Sequence, residues 1–248
     1  MRFRLLRLGL PLLVTVCPAM PQAAAPTLPA RETLSYNVEW RLITAGKARL
    51  SLEQSREGWQ VAMQVDSVGL ISKFFHVADQ YSSVMNPALC TESVQLPAHE
   101  GNRQRDTKIT FDLPAHKAAY IERDRLKNTV ILSHEIDTPP CVHDVPGGLY
   151  LLRTLNLEPG QSRMVAVSDG KKAVLAKVEG QAREDVKTPD GLFHTIRSEA
   201  YLFNNVLYKR PAHLEIWLSD DRRRLPVQIR VRMPFTIGTI TLQLEKHE

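Results

Sequence analysis

Polar and apolar residues alternate along most of the chain from residue 33 onward. In residues 33–43, Leu34 and Tyr36 fall on one face and polar residues fall between them. Successive side chains of a β-strand point to opposite faces, so this period of two is typical of strands with one buried face. The alternation resumes after turn signals at Ala45-Gly46 and Glu57-Gly58, which predicts a meander of three strands.

The same pattern predicts further strands to the end of the chain. They cover residues 77–85, 107–111, 117–122, 126–136, 163–167, 173–178, 193–203, 213–218, 227–233 and 239–244. Residues 96–106 are polar and contain a glycine, which predicts a long hairpin or a surface loop. Residues 67–76 are apolar without a clear period, and indicate either a short helix or a loop with exposed aromatic residues.

One segment has the pattern of a helix, at residues 144–155. Asp144 is a suitable N-cap and Pro146 suits the first turn, although two glycines follow. Leu149 and Leu152 belong to a broad apolar surface around Arg153. We therefore expect one helix packed in or against a large sheet.

The order of these elements predicts the fold class. Turn signals recur at short spacing, without a fixed-period repeat or a low-complexity linker. This is typical of a mainly β domain with a single antiparallel sheet, strongly curved or half-open and barrel-like, with the helix on its concave face. We expect that domain at residues 33–248, preceded by a short flexible lead-in at residues 26–32.

The first 25 residues have the three parts of a secretory signal peptide. Arginines 2, 4 and 7 form a basic region, residues 8–16 are apolar, and three alanines at 23–25 suit signal peptidase. The apolar run is too short to span a bilayer, for which about 20 residues are needed. Cys17 offers lipoprotein anchoring as an alternative, but Val16 stands where a small residue is expected. We expect a periplasmic protein whose mature chain has no transmembrane span.

Loss of the signal peptide would change the charge of the protein. The chain has 32 basic and 27 acidic residues, and the three leader arginines are part of the basic excess. The mature protein is then nearly neutral, which removes the main argument for a nucleic-acid partner.

Cys90 and Cys141 are the two cysteines outside the leader. An even number of cysteines in an oxidising compartment favours a disulfide between them. Such a bond closes a loop of about fifty residues and would stabilise the folded state by about 3–4 kcal/mol in the chain-entropy treatment. Two free buried thiols are the alternative.

Two polar clusters suggest chemistry. Residues 217–224 (WLSDDRRR) offer carboxylates and arginines for a metal or a phosphate, but a Ser-Asp-Asp hairpin turn between two strands is the simpler explanation. His134, Cys141, His143 and Asp144 include zinc-type ligands, although a disulfide would remove Cys141 from such a set. We predict neither a metal nor a cofactor.

A hydrolase would need a nucleophile, a base and an orienting group. Ser168, His194 and Asp220 are such residues, but none lies in a nucleophile signature. We name no catalytic residue.

Several segments resemble those of a bacterial envelope family known as a domain of unknown function, DUF3108. They are 32–40 (ETLSYNVEW), Ala45-Gly46, 147–153 (GGLYLLR), 158–160 (EPG), 165–172 (VAVSDGKK), 190–193 (DGLF), 217–221 (WLSDD) and 224–227 (RLPV). The resemblance implies an exported protein rich in antiparallel β structure. It also implies a fold similar to the half-open, lipid-holding barrels of the lipoprotein carriers LolA and LolB, which is an analogy of fold and not of function.

Large apolar side chains on a half-open sheet suggest a binding cavity. We expect it to be lined by Trp40, Phe74, Phe75, Leu149, Leu152 and Trp217. The leading hypothesis is a non-catalytic protein that holds a lipid or a lipoprotein acyl chain, or otherwise maintains the envelope. The alternatives are an interaction module that joins an envelope protein complex through exposed strand edges, and a hydrolase of envelope glycan or lipid.

Overall fold

The computed structural model describes residues 27–248, most of which belong to a single antiparallel sheet. Its strands are β1 (Arg31–Trp40), β2 (Ile43–Gln54), β3 (Trp59–Ser67), β4 (Ala78–Met85), β5 (Thr91–Glu100), β6 (Arg103–Asp112), β7 (Lys117–Asp124), β8 (Thr129–Asp137), β9 (Ser162–Ser168), β10 (Ala173–Thr188), β11 (Gly191–Ala200), β12 (His213–Ser219), β13 (Pro226–Arg232) and β14 (Thr239–His247). The helices are α1 (Gly69–Phe74) and α2 (Val145–Thr154).

The expected signal peptide and Cys17 lie outside the described residues. Within residues 27–248, neither helix has the length and hydropathy that a membrane crossing requires.

The strands form two meanders joined in the middle of the sheet. The order is β8-β7-β6-β5-β4-β3-β2-β1-β14-β13-β12-β11-β10-β9, so β1 pairs with β14 and the edges are β8 and β9. This agrees with the predicted antiparallel sheet, which is not closed by hydrogen bonds between its edges.

The connections between strands lie at two ends of the sheet because the strands alternate in direction. We call the upper end the set of connections 41–42, 68–77, 101–102, 125–128, 169–172, 201–212 and 233–238. We call the lower end the set 55–58, 86–90, 113–116, 138–161, 189–190 and 220–225.

The sheet curls until its two arms touch. At Gly170, with φ of +82°, a Cβ atom would lie 2.8 Å from the Ile109 side chain of β6. The adjacent Lys171 ammonium lies 5.2 Å from the centre of the Tyr120 ring on β7. The β9–β10 turn therefore packs against β6 and β7, and only glycine fits at its tip.

A short segment before α2 bridges the remaining gap. The His143 N–H donates to Ala166 of β9 at 2.9 Å, and the Thr91 N–H of β5 donates to the Val142 carbonyl at 2.9 Å. Cys90 and Cys141 are joined by a disulfide, as the even cysteine count predicted, and this bond holds the segment beside β5.

Several element boundaries differ from those expected. The first hairpin turns at Arg41 and Leu42, not at Ala45-Gly46, and Gly46 lies within β2. A Cβ atom at Gly46 would lie 2.6 Å from the Asp66 carbonyl oxygen, so the glycine serves close strand packing. Residues 31 and 32, expected in the flexible lead-in, already belong to β1.

Of the two structures predicted for residues 96–106, a long hairpin and a surface loop, the hairpin is observed. It consists of the end of β5, a turn at Gly101 and Asn102, and the start of β6. Polar residues alternate there on an exposed hairpin, so hydropathy alone did not distinguish strand from loop. The apolar segment at residues 67–76 contains the short helix α1.

Candidate functional site

A cavity of about 520 Å³ lies inside the curve of the sheet. Strands β1–β7 and β9–β14 and helix α2 all contribute to its wall. Opposite parts of the wall include Leu50 of β2, Ile109 of β6, Val167 of β9 and Ile229 of β13. These residues face inward because alternate side chains of each strand point to the concave side. Cavities of about 300–1,000 Å³ with mainly apolar walls are typical of small-molecule sites.

Helix α2 forms one side of this cavity. Leu149 and Leu152 line it, while Tyr150 packs into a core cluster that includes residues of β1, β2 and β3. Gly147 allows the close approach of the helix, because a Cβ atom there would lie 2.5 Å from Asp144 Oδ1 and 2.9 Å from Met85 Sδ. The helix is thus fitted against the strands at its first turn.

Asp144, directly before α2, is held by three hydroxyl groups. Thr91 Oγ1 and Ser83 Oγ donate to its Oδ1 at 2.6 and 3.1 Å, and the Tyr81 hydroxyl donates to Oδ2 at 2.5 Å. The Asp144 N–H in turn donates to Thr91 Oγ1 at 2.9 Å. Asp144 is buried, so these bonds replace the water that a carboxylate requires.

The other end of α2 is held by an ion pair. Arg153 donates from Nη1 and Nη2 to the two carboxylate oxygens of Glu32 on β1, at 2.5 and 2.8 Å. Nη2 also donates to the Arg223 carbonyl at 3.0 Å. Both charged groups are buried. The helix is therefore fixed at both ends, which keeps the cavity preformed.

The polar part of the cavity wall lies at the upper end. Ser168, Asp169 and Lys171 of the β9–β10 connection belong to it, next to Tyr208 of the β11–β12 connection. Burial, together with the charge of the Asp169 carboxylate, raises the pKa of Tyr208 to about 12. Burial also raises the pKa of Tyr81 well above its ordinary value, with the Asp144 charge acting in the same direction. Both phenols therefore keep their protons at neutral pH.

Two of the six expected cavity residues, Leu149 and Leu152, line the cavity. Trp217 lies outside it. On β12 it alternates with Ile216, which does line the cavity, so the indole points to the other face of the sheet. There its Nε1 donates to Glu184 at 2.6 Å and the Arg230 guanidinium stacks 4.8 Å from its ring.

The other three expected residues lie at the upper end of the sheet and outside the cavity. Trp40 ends β1, and its Nε1 donates to the Ile237 carbonyl at 2.8 Å. Phe74 and Phe75 lie at the end of α1 with their side chains exposed to solvent. Phe74 and Phe75 therefore belong to the surface of the protein and not to its interior.

The residues that sequence reasoning missed are inward-facing side chains of the strands. Ile109, Val165, Ile216 and Ile229 alternate correctly in the sequence. Nothing in that alternation distinguishes a side chain that faces a cavity from one that packs against a neighbour.

The polar clusters considered for chemistry have structural partners. Residues 220–225 form the β12–β13 hairpin turn, in which Asp221 accepts from Ser219 and Arg223. Ser168 lies at the upper end, whereas His194 and Asp220 lie near the lower end, so the three do not converge. Among the described residues, no three His, Cys, Asp or Glu side chains form a metal-type cluster.

The sequence profile of a family described as "Protein of unknown function (DUF3108)" matches residues 35–245. No curated protein matches the chain.

Three solved structures are similar to this one. A β-barrel-like protein of the DUF1849 domain from Brucella abortus has a TM-score of 0.57 at 8% identity, covering 90% of this chain and 98% of that one. A candidate exported protein with a YmcC-like fold from Bacteroides fragilis has a TM-score of 0.39 at 9% identity, covering 91% and 100%. A DUF1089 family protein from Pseudomonas aeruginosa has a TM-score of 0.34 at 10% identity, covering 87% and 94%. The first likeness shows the barrel-like fold.

Proposed function

The chain belongs to the DUF3108 family, and we propose that this member is a non-catalytic protein that holds the acyl chain of a lipid or a lipoprotein. The observation that carries the proposal is the apolar cavity of about 520 Å³ enclosed by the sheet and α2. Its volume lies within the range of about 300–1,000 Å³ typical of ligand sites.

The composition of the wall supports an apolar ligand. Leucine, isoleucine and valine side chains supply most of it, and the phenols of Tyr81 and Tyr208 are neutral at physiological pH. Removing an acyl chain from water gains about 25 cal/mol for each Å² of apolar surface buried, whereas such a wall offers little to a charged ligand.

The position of the polar residues supports one orientation of that ligand. Asp169 and Lys171 lie together in the β9–β10 connection, which adjoins the start of α2, because the Ser168 N–H donates to the His143 carbonyl at 2.9 Å. An amphipathic molecule with its tail against Leu149 and Leu152 would place its polar end beside these two charged groups. The export expected from residues 1–25 would locate this binding in the periplasm.

Native mass spectrometry of the protein purified from its host envelope fraction tests the proposal. We expect a bound species of near-stoichiometric amount, which organic extraction identifies as an acyl lipid or an acylated peptide. The purified protein should also take up a fluorescent fatty acid after extraction.

A matched pair of variants connects this uptake to the cavity. Ala176 lines the cavity, whereas its neighbour Leu175 points to solvent on the other face of β10. Ala176→Phe should fill the cavity and weaken fatty-acid uptake by about tenfold or more, because overpacking leaves no room for the tail. Leu175→Phe adds an aromatic ring to the same strand without entering the cavity, and should bind as the unmodified protein does. A ligand-free mass with no uptake, or equal uptake by the two variants, would refute the proposal.

A second candidate, an interaction module of an envelope complex, is favoured by the edge strand β8. Its side chains are exposed along nearly its whole length, including Val130, Ile131 and Leu132. An exposed edge can accept a strand from another chain. Ile131→Pro would disrupt such pairing, since proline removes a backbone donor. In this case, chemical cross-linking in the envelope should capture a partner protein with the unmodified chain and not with Ile131→Pro. That result, together with no fatty-acid uptake by the unmodified protein, would favour this function over the first.

A further inference from the structure

The connections at the two ends of the sheet differ in hydrophobicity. At the upper end, Leu42, Phe74 and Phe235 are 94%, 86% and 95% exposed, and Leu70 and Leu126 are also largely exposed. Within residues 27–248, the lower-end connections contain no exposed large hydrophobic residue. Single exposed apolar residues are ordinary on protein surfaces, but this concentration at one end indicates an interaction site.

Hydrogen bonds join two of these connections to each other and anchor a third to strand β2. Arg41 donates from Nη2 to the carbonyls of Phe235 and Thr236 at 3.1 and 2.6 Å, which ties the β1–β2 turn to the β13–β14 connection. The Val68 N–H donates to the Ala45 carbonyl at 2.9 Å and fixes the segment that contains α1 beside β2. The apolar side chains are thus displayed on one built surface.

The conformation of the first turn adds an independent observation. Arg41 and Leu42 have φ of 50° and 69°, a left-handed pair that hairpin turns normally assign to Asn-Gly. For a residue such as leucine this backbone is unfavourable. Leu42 therefore has an unfavourable backbone conformation and an apolar side chain exposed to water. Both costs are expected where the side chain binds another molecule.

The charge of the upper end is also distinctive. Its connections carry eight basic side chains and one acidic side chain, Asp169, whereas those of the lower end carry five basic and six acidic ones. The eight are Arg41, Lys73, Arg125, Lys127, Lys171, Lys172, Lys209 and Arg210. The connections at the apolar end are therefore net basic, whereas those at the lower end are nearly neutral.

A basic groove continues this surface onto the outer face of the sheet. It has a volume of about 610 Å³, and its wall includes Arg41, Arg230 and Arg232 together with the side chains of Leu42 and Phe235. Glu39 is the acidic residue of that wall. Guanidinium groups next to exposed apolar side chains match a phosphate group next to a hydrocarbon chain.

We propose that the upper end of the sheet is a docking surface for an anionic lipid membrane. Leu42, Phe74 and Phe235 enter the interface between headgroups and acyl chains, and Lys73 and Lys127 contact the negatively charged headgroups. The proposal goes beyond ligand holding and does not rest on it, because the surface lies outside the cavity.

Vesicle flotation tests this surface. The purified protein should float with vesicles of mixed phosphatidylcholine and phosphatidylglycerol, and weakly or not at all with pure phosphatidylcholine. The double variant Phe74→Ser with Phe235→Ser should lower the partition coefficient by at least about tenfold, since two aromatic side chains no longer leave water. Leu192→Ser removes an exposed leucine near the lower end as the matched control, and should change partitioning by less than about twofold.

The contribution of charge is tested separately. Lys73→Gln with Lys127→Gln should weaken binding by about tenfold or more at low salt, with a smaller dependence on salt concentration than the unmodified protein has. Arg222→Gln, in a lower-end turn, is the matched control. Absence of flotation with anionic vesicles, or equal losses of vesicle binding in the upper-end variants and the control variants, would overturn the proposal. An upper-end variant that alters only the self-association of the protein in lipid-free solution would also overturn it, since the surface would then bind a second copy of the chain.

These measurements fail independently of those for the cavity. The upper-end variants should take up a fluorescent fatty acid from lipid-free solution as the unmodified protein does. Conversely, Ala176→Phe should float with anionic vesicles normally.

Discussion

Arg153 of α2 and Glu32 of β1 form a two-bond ion pair in the interior, although 121 residues separate them in the chain. The Arg153 side chain is fully buried and its guanidinium stacks 5.2 Å from the centre of the Tyr150 ring. The pair therefore joins the helix beside the cavity to the central strand of the sheet.

We predict that Arg153→Met lowers the free energy of unfolding by about 3–5 kcal/mol, because Glu32 remains as an uncompensated buried charge. Urea denaturation followed by circular dichroism measures this change. Arg153→Met combined with Glu32→Leu should recover much of the loss, since no charge remains to be desolvated. A single variant as stable as the unmodified protein would mean that water reaches Glu32.

The strands and the helix were predictable from local patterns, because a period of two and an apolar helical surface are properties of neighbouring residues. The Arg153–Glu32 pair was not, since it depends on how the sheet curls. Arg153 lies within an apolar helix surface in the local pattern, and nothing near it in the sequence indicates that Glu32, on a distant strand, is its partner.

The same limit applies to the cavity. The choice of Leu149 and Leu152 followed from the helix pattern, and both line it. Trp40, Phe74, Phe75 and Trp217 were chosen for their size, which does not specify a face or an end of the sheet. Alternation with Ile216 could have placed Trp217 on the opposite face, whereas no local pattern indicates that α1 is exposed.

The disulfide should contribute substantially to stability. Cys90 lies in the β4–β5 connection and Cys141 in the segment that bridges to β9. We predict that Cys90→Ser with Cys141→Ser lowers the free energy of unfolding by about 3–4 kcal/mol, because the unfolded chain is no longer restricted by a 51-residue separation. A reducing agent should lower the urea midpoint of the unmodified protein and leave that of the double variant unchanged. A midpoint insensitive to reduction would indicate two free thiols.

Glu215 should make stability depend on acid pH. It is 4% exposed, and although burial acts to raise its pKa, hydrogen bonds and charge from Arg232 and Arg197 hold that pKa below its ordinary value of 4.5. A carboxyl group with a depressed pKa in the folded state stabilises the fold above its ordinary pKa, and this contribution is lost as the pH falls through the folded-state value. Glu215→Gln should lower stability by about 2 kcal/mol at neutral pH.

The control for this prediction is the shape of the pH profile. Urea midpoints measured from neutral pH downward should fall less steeply below pH 4.5 in Glu215→Gln than in the unmodified protein. Parallel profiles would show that the ion pairs with Arg197 and Arg232 do not persist in solution.

His143 acts in a different pH range. Burial lowers its pKa below the ordinary 6.5, despite the hydrogen bond from Nδ1 to the Leu89 carbonyl at 2.8 Å and the nearby Asp144, which both act to raise it. The folded state therefore holds a neutral imidazole, and the unfolded chain binds a proton first as the pH falls from about 6.5. We predict a loss of stability that begins in this range. In His143→Gln this part of the pH dependence should disappear, and a profile that keeps it would assign the titration to another group.

Variants of the hydroxyl groups around Asp144 test whether these groups only support helix α2 or also bind the ligand. Tyr81 lines the cavity with its ring and donates to Asp144 with its hydroxyl, whereas Thr91 and Ser83 donate without lining the cavity. Tyr81→Phe keeps the ring and removes the hydrogen bond, so we predict a loss of about 1–3 kcal/mol in the free energy of unfolding. Thr91→Val should cost more than Tyr81→Phe, because it leaves the buried carboxylate with one donor fewer and the Asp144 N–H without its acceptor.

Fatty-acid uptake then distinguishes the two roles of Tyr81. If its hydroxyl acts only through Asp144, uptake by Tyr81→Phe should match that of Thr91→Val and of the unmodified protein under conditions where all three are folded. A selective loss of uptake in Tyr81→Phe would instead mean that the phenol contacts the polar end of the ligand. That result would contradict the ligand position proposed here, in which the polar end lies beside Asp169 and Lys171.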